Sequence, residues 1–248
     1  MSFMPSLVGH SASLSNVGTV RTVNEDACLE LPGPEGGLWA VADGMGGHEA
    51  GDVASQMVVD SLREMRGGNN LGALIDEAEE RILDVNSALL ALAAQGDPPR
   101  TIGTTVVALM TFRRQAACMW AGDSRVYRLR DGQFDQLTRD HTELEELMQE
   151  NHLTEEQALN YTTSNVITRA VGGDSELQLE VKFQELSPGD RFMLCSDGLY
   201  NAVPDSELAV LLASGDPASV SHALVQRSLE CGARDNVTVV VVDFFDQL

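Results

Sequence analysis

Leu38-Trp39-Ala40-Val41-Ala42, followed at once by Asp43-Gly44, is the stretch on which the fold turns. All five leading residues are apolar, so a strand built from them has no face for water and must be covered on both sides. Val106-Val107-Ala108-Leu109-Met110, Ala116-Ala117-Cys118-Met119-Trp120-Ala121 and residues 237–242 are nearly as apolar. Helical spacing surrounds them. Ala50, Val53, Ala54, Met57, Val58, Leu62 and Met65 recur on one face, as do Leu71, Leu74, Ile75, Ala78, Ile82, Val85 and Leu89. A second pair carries Leu208, Leu211 and Leu212, then Val220, Ala223 and Leu224. One apolar stripe per helix suits a helix lying on a sheet. Doubly buried strands with two helix pairs predict a layered sandwich with the helices outside.

The chain has 248 residues, and its Pro- and Gly-rich breaks are short and evenly spread. None is long enough for an interdomain linker, so a single domain over residues 1–248 is expected. Residues 138–176 differ from the rest: they are polar, acid-rich and predicted to be helical in short pieces. Thr154 and Gln157 fit a capping box opening one of them. This segment reads either as a small lobe packed over something or as an ordinary surface insertion.

A net charge of −22 argues against a nucleic-acid partner and against an anionic membrane surface, since both are polyanions. The only lysine, Lys182, falls in an alternating strand-like stretch over residues 177–186 and reads as solvated. No Gly-Lys-Ser/Thr exists for a P-loop. Cys28, Cys118, Cys195 and Cys231 lack metal-site spacing and sit in apolar contexts, which predicts buried free thiols. Residues 1–13 lack the basic start and apolar core of a signal peptide, and no apolar run reaches membrane-spanning length. A reducing cytoplasm is the expected compartment. The glycosylation-like triplets at Asn160 and Asn236 then read as chance matches.

Five aspartates flank the apolar strands. Asp26 precedes residues 27–31, Asp43 follows 38–42, Asp123 follows 116–122, Asp197 follows 192–196, and Asp235 precedes 237–242. Loops at strand ends are where scaffolds mount function. The small neighbours in Asp43-Gly44, Gly122-Asp123 and Asp197-Gly198 let backbone approach a ligand closely. Taken singly, each Asp suits a turn. If the strand ends converge, the carboxylates repel one another and need protons or cations, for which Mg²⁺ or Mn²⁺ is the natural match.

The run Gly18-Thr19-Val20-Arg21-Thr22-Val23-Asn24-Glu25-Asp26 resembles the opening motif of the metal-dependent protein phosphatases, the type 2C family. The resemblance continues in Val41-Ala42-Asp43-Gly44-Met45-Gly46-Gly47-His48, Gly103-Thr104-Thr105, Ala121-Gly122-Asp123-Ser124-Arg125, Cys195-Ser196-Asp197-Gly198-Leu199 and Arg234-Asp235-Asn236-Val237-Thr238. Six motifs in the family's order span nearly the whole chain. The Asp-Gly-Met-Gly-Gly-His form is similar to the compact bacterial branch.

The resemblance implies an α+β fold: a layered α/β/β/α sandwich, with a central β-sandwich flanked by two helix pairs and a small flap at residues 138–176. It implies hydrolysis of phosphoserine and phosphothreonine monoesters on proteins by a metal-activated hydroxide, without a covalent phosphoenzyme. It also implies two Mn²⁺ or Mg²⁺ ions in the core and a third, weaker one in bacterial members. Asp43 matches the carboxylate that bridges two ions, and the Gly44 carbonyl matches a ligand of the second. Asp197 and Asp235 match ligands of the first. Glu25 matches a residue reaching the second ion through water, and Asp26 a neighbour orienting bound water. Asp123, with Asp197, matches the third-ion site. Arg21 matches the phosphate-binding arginine, whose planar fork suits phosphate oxygens. Implied partners are phosphorylated proteins and an opposing Ser/Thr kinase, with the chain itself a monomer.

One position departs from the family pattern. Many eukaryotic members carry a histidine, a proposed general acid, directly after the Asp-Gly pair, where this chain has Met45, which cannot donate a proton. His48, another group or metal-bound water are the remaining sources, and the acid stays unassigned. Two rival readings are a non-catalytic binding module, which would usually have lost metal carboxylates, and a small-molecule phosphatase, which would prefer p-nitrophenyl or sugar phosphates to phosphopeptides.

Overall fold

The computed structural model describes residues 6–46, 50–95, 101–162 and 166–246. The chain opens with β1 (Leu7–Asn16), β2 (Asp26–Gly33) and β3 (Gly36–Met45), then α1 (Gly51–Arg63) and α2 (Leu71–Ala94). Next come β4 (Gly103–Thr104), β5 (Val106–Phe112), β6 (Gln115–Ala121), β7 (Arg125–Arg130) and β8 (Gln133–Gln136). After α3 (Glu143–Asn151) and α4 (Glu155–Ala158) the chain continues through β9 (Glu180–Glu185), β10 (Arg191–Cys195) and α5 (Asp197–Tyr200). It closes with α6 (Asp205–Leu212), α7 (Pro217–Glu230) and β11 (Val237–Asp246).

The strands form two antiparallel sheets, ordered β1-β11-β10-β7-β8 and β2-β3-β5-β6-β9, with the short β4 pairing the end of β3. Strand alternation builds the layers. In β3, Trp39 and Val41 point into a core between the sheets, while Leu38, Ala40 and Ala42 point toward α1 and α2. In β11, Val240, Val242 and Phe244 enter the same inter-sheet core, and Val237, Val239 and Val241 meet Leu208 of α6 and Leu224 of α7. Three apolar layers therefore separate four structural ones, as the doubly apolar strands predict. The inter-sheet layer is aromatic, with Trp39 and Phe192 each packed edge-on against Phe244.

Both helix pairs form where the apolar spacing places them. Asn70 caps α2 by accepting from the Ala73 amide at 2.9 Å, and Asp216 caps α7 just before Pro217. In the 138–176 segment α3 and α4 are short, and the capping box forms in both directions. The Thr154 amide donates to Gln157 Oε1 at 2.9 Å, and the Gln157 amide donates to Thr154 Oγ1 at 3.3 Å. The bridge Thr142–Ile167 closes the segment on itself, and the bridge Thr104–Val171 ties it to β4.

Several details differ from expectation. Asp26 opens β2 rather than preceding it, and Asp43 lies within β3, because the β2–β3 ladder runs on to their pairing. Cys118 and Cys195 are buried, but Cys28 is half-buried and Cys231 is exposed. Cys231 is the C-cap of α7, where the chain turns out to solvent before Gly232. Lys182 is exposed on β9, with Nζ donating to the Leu137 carbonyl at 3.0 Å. Strands β1, β7 and β8 carry no uniform apolar run. β1 is a sheet edge of small polar residues, held by its ladder to β11.

Candidate active site

The β2–β3 register sets Asp26 directly opposite Asp43. From the other sheet, the β10–β11 pair brings Ser196, Asp197 and Asp235 to the same end of the sandwich. Ser196 Oγ donates to Asp26 Oδ2 at 2.7 Å and accepts from the Thr238 amide at 2.9 Å. This fully buried hydroxyl therefore stitches the two sheets together beside the carboxylates. Asp43 is gripped through its backbone: its amide donates to Thr105 Oγ1 at 3.0 Å, and its carbonyl accepts from the Thr105 amide and from Thr104 Oγ1. Thr105 Oγ1 shares a 2.7 Å hydrogen bond with Ser124 Oγ, linking Asp43 to the loop of Asp123.

The loop from Val17 to Glu25 carries Arg21 and Glu25, and one buried side chain holds it. Asn236 Nδ2 donates to the carbonyls of Val17 and Val23, both at 3.0 Å, and Asn236 Oδ1 accepts from the Glu25 amide at 2.8 Å. Glu25 Oε1 accepts from the Gly51 amide at the start of α1 at 3.2 Å. α1 has no side-chain cap of its own at Ala50, so Glu25 meets an otherwise orphaned helix amide. Gly44 donates its amide to the Glu25 carbonyl at 3.1 Å. A Cβ at Gly44 would lie 2.0 Å from the Gly51 carbonyl oxygen and 2.6 Å from that of Glu25, so only glycine fits between them.

The electrostatics report convergence. Burial, then the charges of Asp26, Asp197, Asp123 and Asp235, push the Asp43 carboxyl well above its usual range. Burial is also the main cause that raises Asp26 and Asp197 to about 6 and Asp123 to about 7, with neighbouring carboxylates adding to each. Arg21, half-exposed, donates through Nη2 to Asp235 Oδ2 at 2.7 Å, and that bond is the main cause that raises the guanidinium's pKa. The five aspartates, Glu25, Gly44 and Arg21 are thus gathered at one end of the sandwich.

Among the described residues, no three His, Cys, Asp or Glu side chains are already drawn into a common cage. The donor set nonetheless fits hard cations. Every candidate ligand is oxygen, the carboxylates destabilise one another, and Asp26 Oδ1 is buried without a hydrogen-bond partner. Beside this cluster lies a cleft of about 370 Å³, walled by Asp123, Asp197 and Tyr200 on one side and by Leu144, Glu145 and Met148 of α3 on the other.

Met45 is half-buried on β3 opposite Gly103, and His48 lies outside the described residues. The motifs by themselves assign no role to the residues that hold these carboxylates in place: Ser196, Asn236, Tyr200 and the Arg125–Asp140 pair. Arg125 forks onto Asp140 at 2.7–3.1 Å and stacks 3.6 Å above the Tyr200 ring, while the Tyr200 hydroxyl donates to the Asp123 carbonyl at 3.0 Å. Polar residues next to the aspartates, in Ser196-Asp197 and Asp235-Asn236, were the available signal. The glycosylation-like match at Asn236 is a buried side chain committed to three hydrogen bonds.

The class defined by this fold and site is borne out by comparison with known proteins. The family described as Protein phosphatase 2C matches residues 19–235, and the chain belongs to it. The chain is 36% identical over 240 residues to the serine/threonine protein phosphatase PstP of Mycobacterium tuberculosis, covering 97% of this chain and 46% of that protein. It thus spans about half the length of that curated relative. It resembles the solved structure of PppA, a regulatory component of the type VI secretion system in Pseudomonas aeruginosa, at 43% identity and a TM-score of 0.86, covering 96% of this chain and all of that one. The catalytic domain of PstP in complex with two manganese ions matches at 38% identity and a TM-score of 0.83, covering 97% of this chain and all of that one.

Proposed function

We propose that this chain is one metal-dependent phosphatase domain, with residues 138–176 as its flap, that hydrolyses phosphoserine and phosphothreonine monoesters on proteins. The observation that carries this reading is the gathering of five aspartates from both sheets, one of which, Asp26, has a buried oxygen without a hydrogen-bond partner, in a chain of the protein phosphatase 2C family. The manganese-bound relative supports Mn²⁺ as an occupant, with Mg²⁺ as the alternative. Asp43 would bridge two ions, with Asp197 and Asp235 on the first and the Gly44 carbonyl and Glu25, through water, on the second. Asp123 with Asp197 would hold a third, weaker ion.

Bound ions of this kind acidify water and neutralise charge on phosphoryl oxygens. The chain's own residues then bind and orient. Arg21 has further N–H donors beyond the one given to Asp235 and would hold the phosphoryl oxygens. Asp26, anchored through Oδ2 by Ser196, presents its free Oδ1 to orient the attacking water. The Asn236 clamp keeps Arg21 and Glu25 in register with the aspartates. In-line attack expels the seryl or threonyl oxygen with no phosphoenzyme.

The substrates imply an opposing Ser/Thr kinase, and we read the chain as a cytoplasmic monomer. No helix among the described residues is long and apolar enough to cross a membrane. With a net charge of −22, attraction for a phosphopeptide has to come at short range from the ions and Arg21. The test is phosphate release from a phosphothreonine peptide with Mn²⁺, with Mg²⁺ and with excess chelator. Release that requires a divalent ion is expected. Equal release under chelation, or release only from small phosphoesters, contradicts the proposal.

A further inference from the structure

His141 is nearly fully buried, 3% exposed, and lies where the 138–176 segment leaves β8, at the edge of the β1-β11-β10-β7-β8 sheet. It grips Gly122 at two points. The His141 amide donates to the Gly122 carbonyl at 3.0 Å, and the Gly122 amide donates to His141 Nδ1 at 3.2 Å. Its carbonyl accepts from the Thr168 amide at 2.8 Å, on the returning limb of the segment. The ring stacks on Trp120 at 6.0 Å and 15°.

The Gly122 bond dictates the tautomer. Nδ1 accepts, so the neutral ring carries its proton on Nε2. Nε2 lies 3.2 Å from Glu180 Oε1 without forming a hydrogen bond, and Arg169 reaches the same oxygen at 3.3 Å. Burial, the main cause, lowers the imidazole pKa and favours this neutral form.

Gly122 needs such a grip. It has a φ of +109°, and a Cβ there would lie 2.6 Å from Thr105 Cβ, the residue that holds Asp43. The next residue is Asp123, only 7% exposed, whose carbonyl is held from the opposite side by Tyr200. We propose that His141 is the positioning residue of Asp123: as the Nε2–H tautomer it clamps Gly122 and couples the Asp123 carboxylate to both ends of the 138–176 segment. This rests on Asp123 being an ion ligand, as proposed above. A carboxylate on a loosened loop binds a weak cation more weakly, and loss of such outer partners costs about tenfold or more in metal affinity.

Asparagine and glutamine separate the two ring nitrogens. His141→Asn keeps an acceptor at the Nδ1 position, whereas His141→Gln keeps a donor near Nε2 and loses the acceptor for Gly122. The experiment compares both variants with Asp123→Asn and the unaltered protein. It reads thermal unfolding, Gly122 amide hydrogen exchange, and the Mn²⁺ concentration giving half-maximal phosphopeptide hydrolysis. His141→Gln is expected to expose the Gly122 amide by about tenfold and to raise the Mn²⁺ requirement by a similar factor. His141→Asn is expected to remain within about twofold on both readouts, while both variants melt close together. Equal Gly122 exchange in the Asn and Gln variants overturns the clamp. A raised Mn²⁺ requirement in Asp123→Asn beside an unchanged one in His141→Gln overturns the proposal alone. An unchanged requirement in Asp123→Asn overturns the Asp123 reading, and the positioning role with it.

Discussion

Replacing Asn236 by alanine removes three side-chain hydrogen bonds at once and keeps its backbone amide, which donates to Asp235 Oδ1 at 2.9 Å. The side chain is 5% exposed and joins Val17, Val23 and Glu25 to the foot of β11. At about 1 kcal/mol for each bond, with two carbonyls and an amide left short of partners in a buried setting, the loss is on the order of 3 kcal/mol. For a chain of this size that lowers Tm by about 6–12 °C. The released loop carries Arg21 and Glu25, so KM for a phosphothreonine peptide is expected to rise along with the fall in kcat. Asn236→Asp keeps one acceptor, loses both donors and adds a charge beside Asp235, so it is expected to be no better. Urea unfolding and steady-state kinetics on both variants supply the numbers. A loss below about 0.5 kcal/mol with unchanged KM refutes the view that Asn236 holds this loop.

Three further outcomes are expected. Asp26, Asp43, Asp123 and Asp197 have carboxyls raised by folding, so the folded protein binds more protons than the unfolded chain and these groups lose stability as pH rises from about 4 to about 7. The lowered His141 opposes this with a single group, so melts in chelator are expected to fall across the window and Mn²⁺ to reverse the trend; a rise in chelator would contradict the shared carboxylate burden. Gly44→Ala forces a Cβ to within 2.0 Å of the Gly51 carbonyl oxygen and is expected to cost about 3 kcal/mol or more with near-complete loss of phosphate release, and normal stability would sink the close-approach argument. A thiol reagent is expected to modify Cys231 first, Cys28 slowly, and Cys118 and Cys195 only on unfolding, because burial pushes Cys118 up to about 12 and raises Cys195 as well; mass spectrometry of the adducts checks the order.

The layers were legible because β3, β5, β6 and β11 are apolar on both faces and the helices carry single stripes. The edges were not. β1 gains its strand character from pairing with β11, a tertiary effect with little local signature. β7 and β8 form a hairpin whose turn, Asp131-Gly132, was a usable signal in the sequence, with Asp131 at φ +50° and Gly132 at +78°. The charged side chains on β7, such as Arg125 and Arg128, mask its alternation because they are spent on ion pairs with Asp140 and Asp135. At the site, the aspartates could be found from strand ends and motif order. Their convergence could not, since it depends on long-range contacts such as Ser196 to Asp26 and Thr105 to Ser124. The holding residues were hidden for the same reason, and His141 showed only as one histidine in an acid-rich segment.

The measurement closest to the central claim pairs Mn²⁺ titration calorimetry with phosphate release for the unaltered protein and Asp43→Asn. Asp43 is the carboxylate on which the charges of the other four aspartates converge, and its backbone is held by Thr104 and Thr105 independently of its side chain. Asp43→Asn is expected to stay folded, to lose tight Mn²⁺ binding and to hydrolyse the phosphothreonine peptide at least about a thousandfold more slowly. A folded Asp43→Asn protein that binds Mn²⁺ with unaltered stoichiometry and turns over at the original rate would contradict the claim.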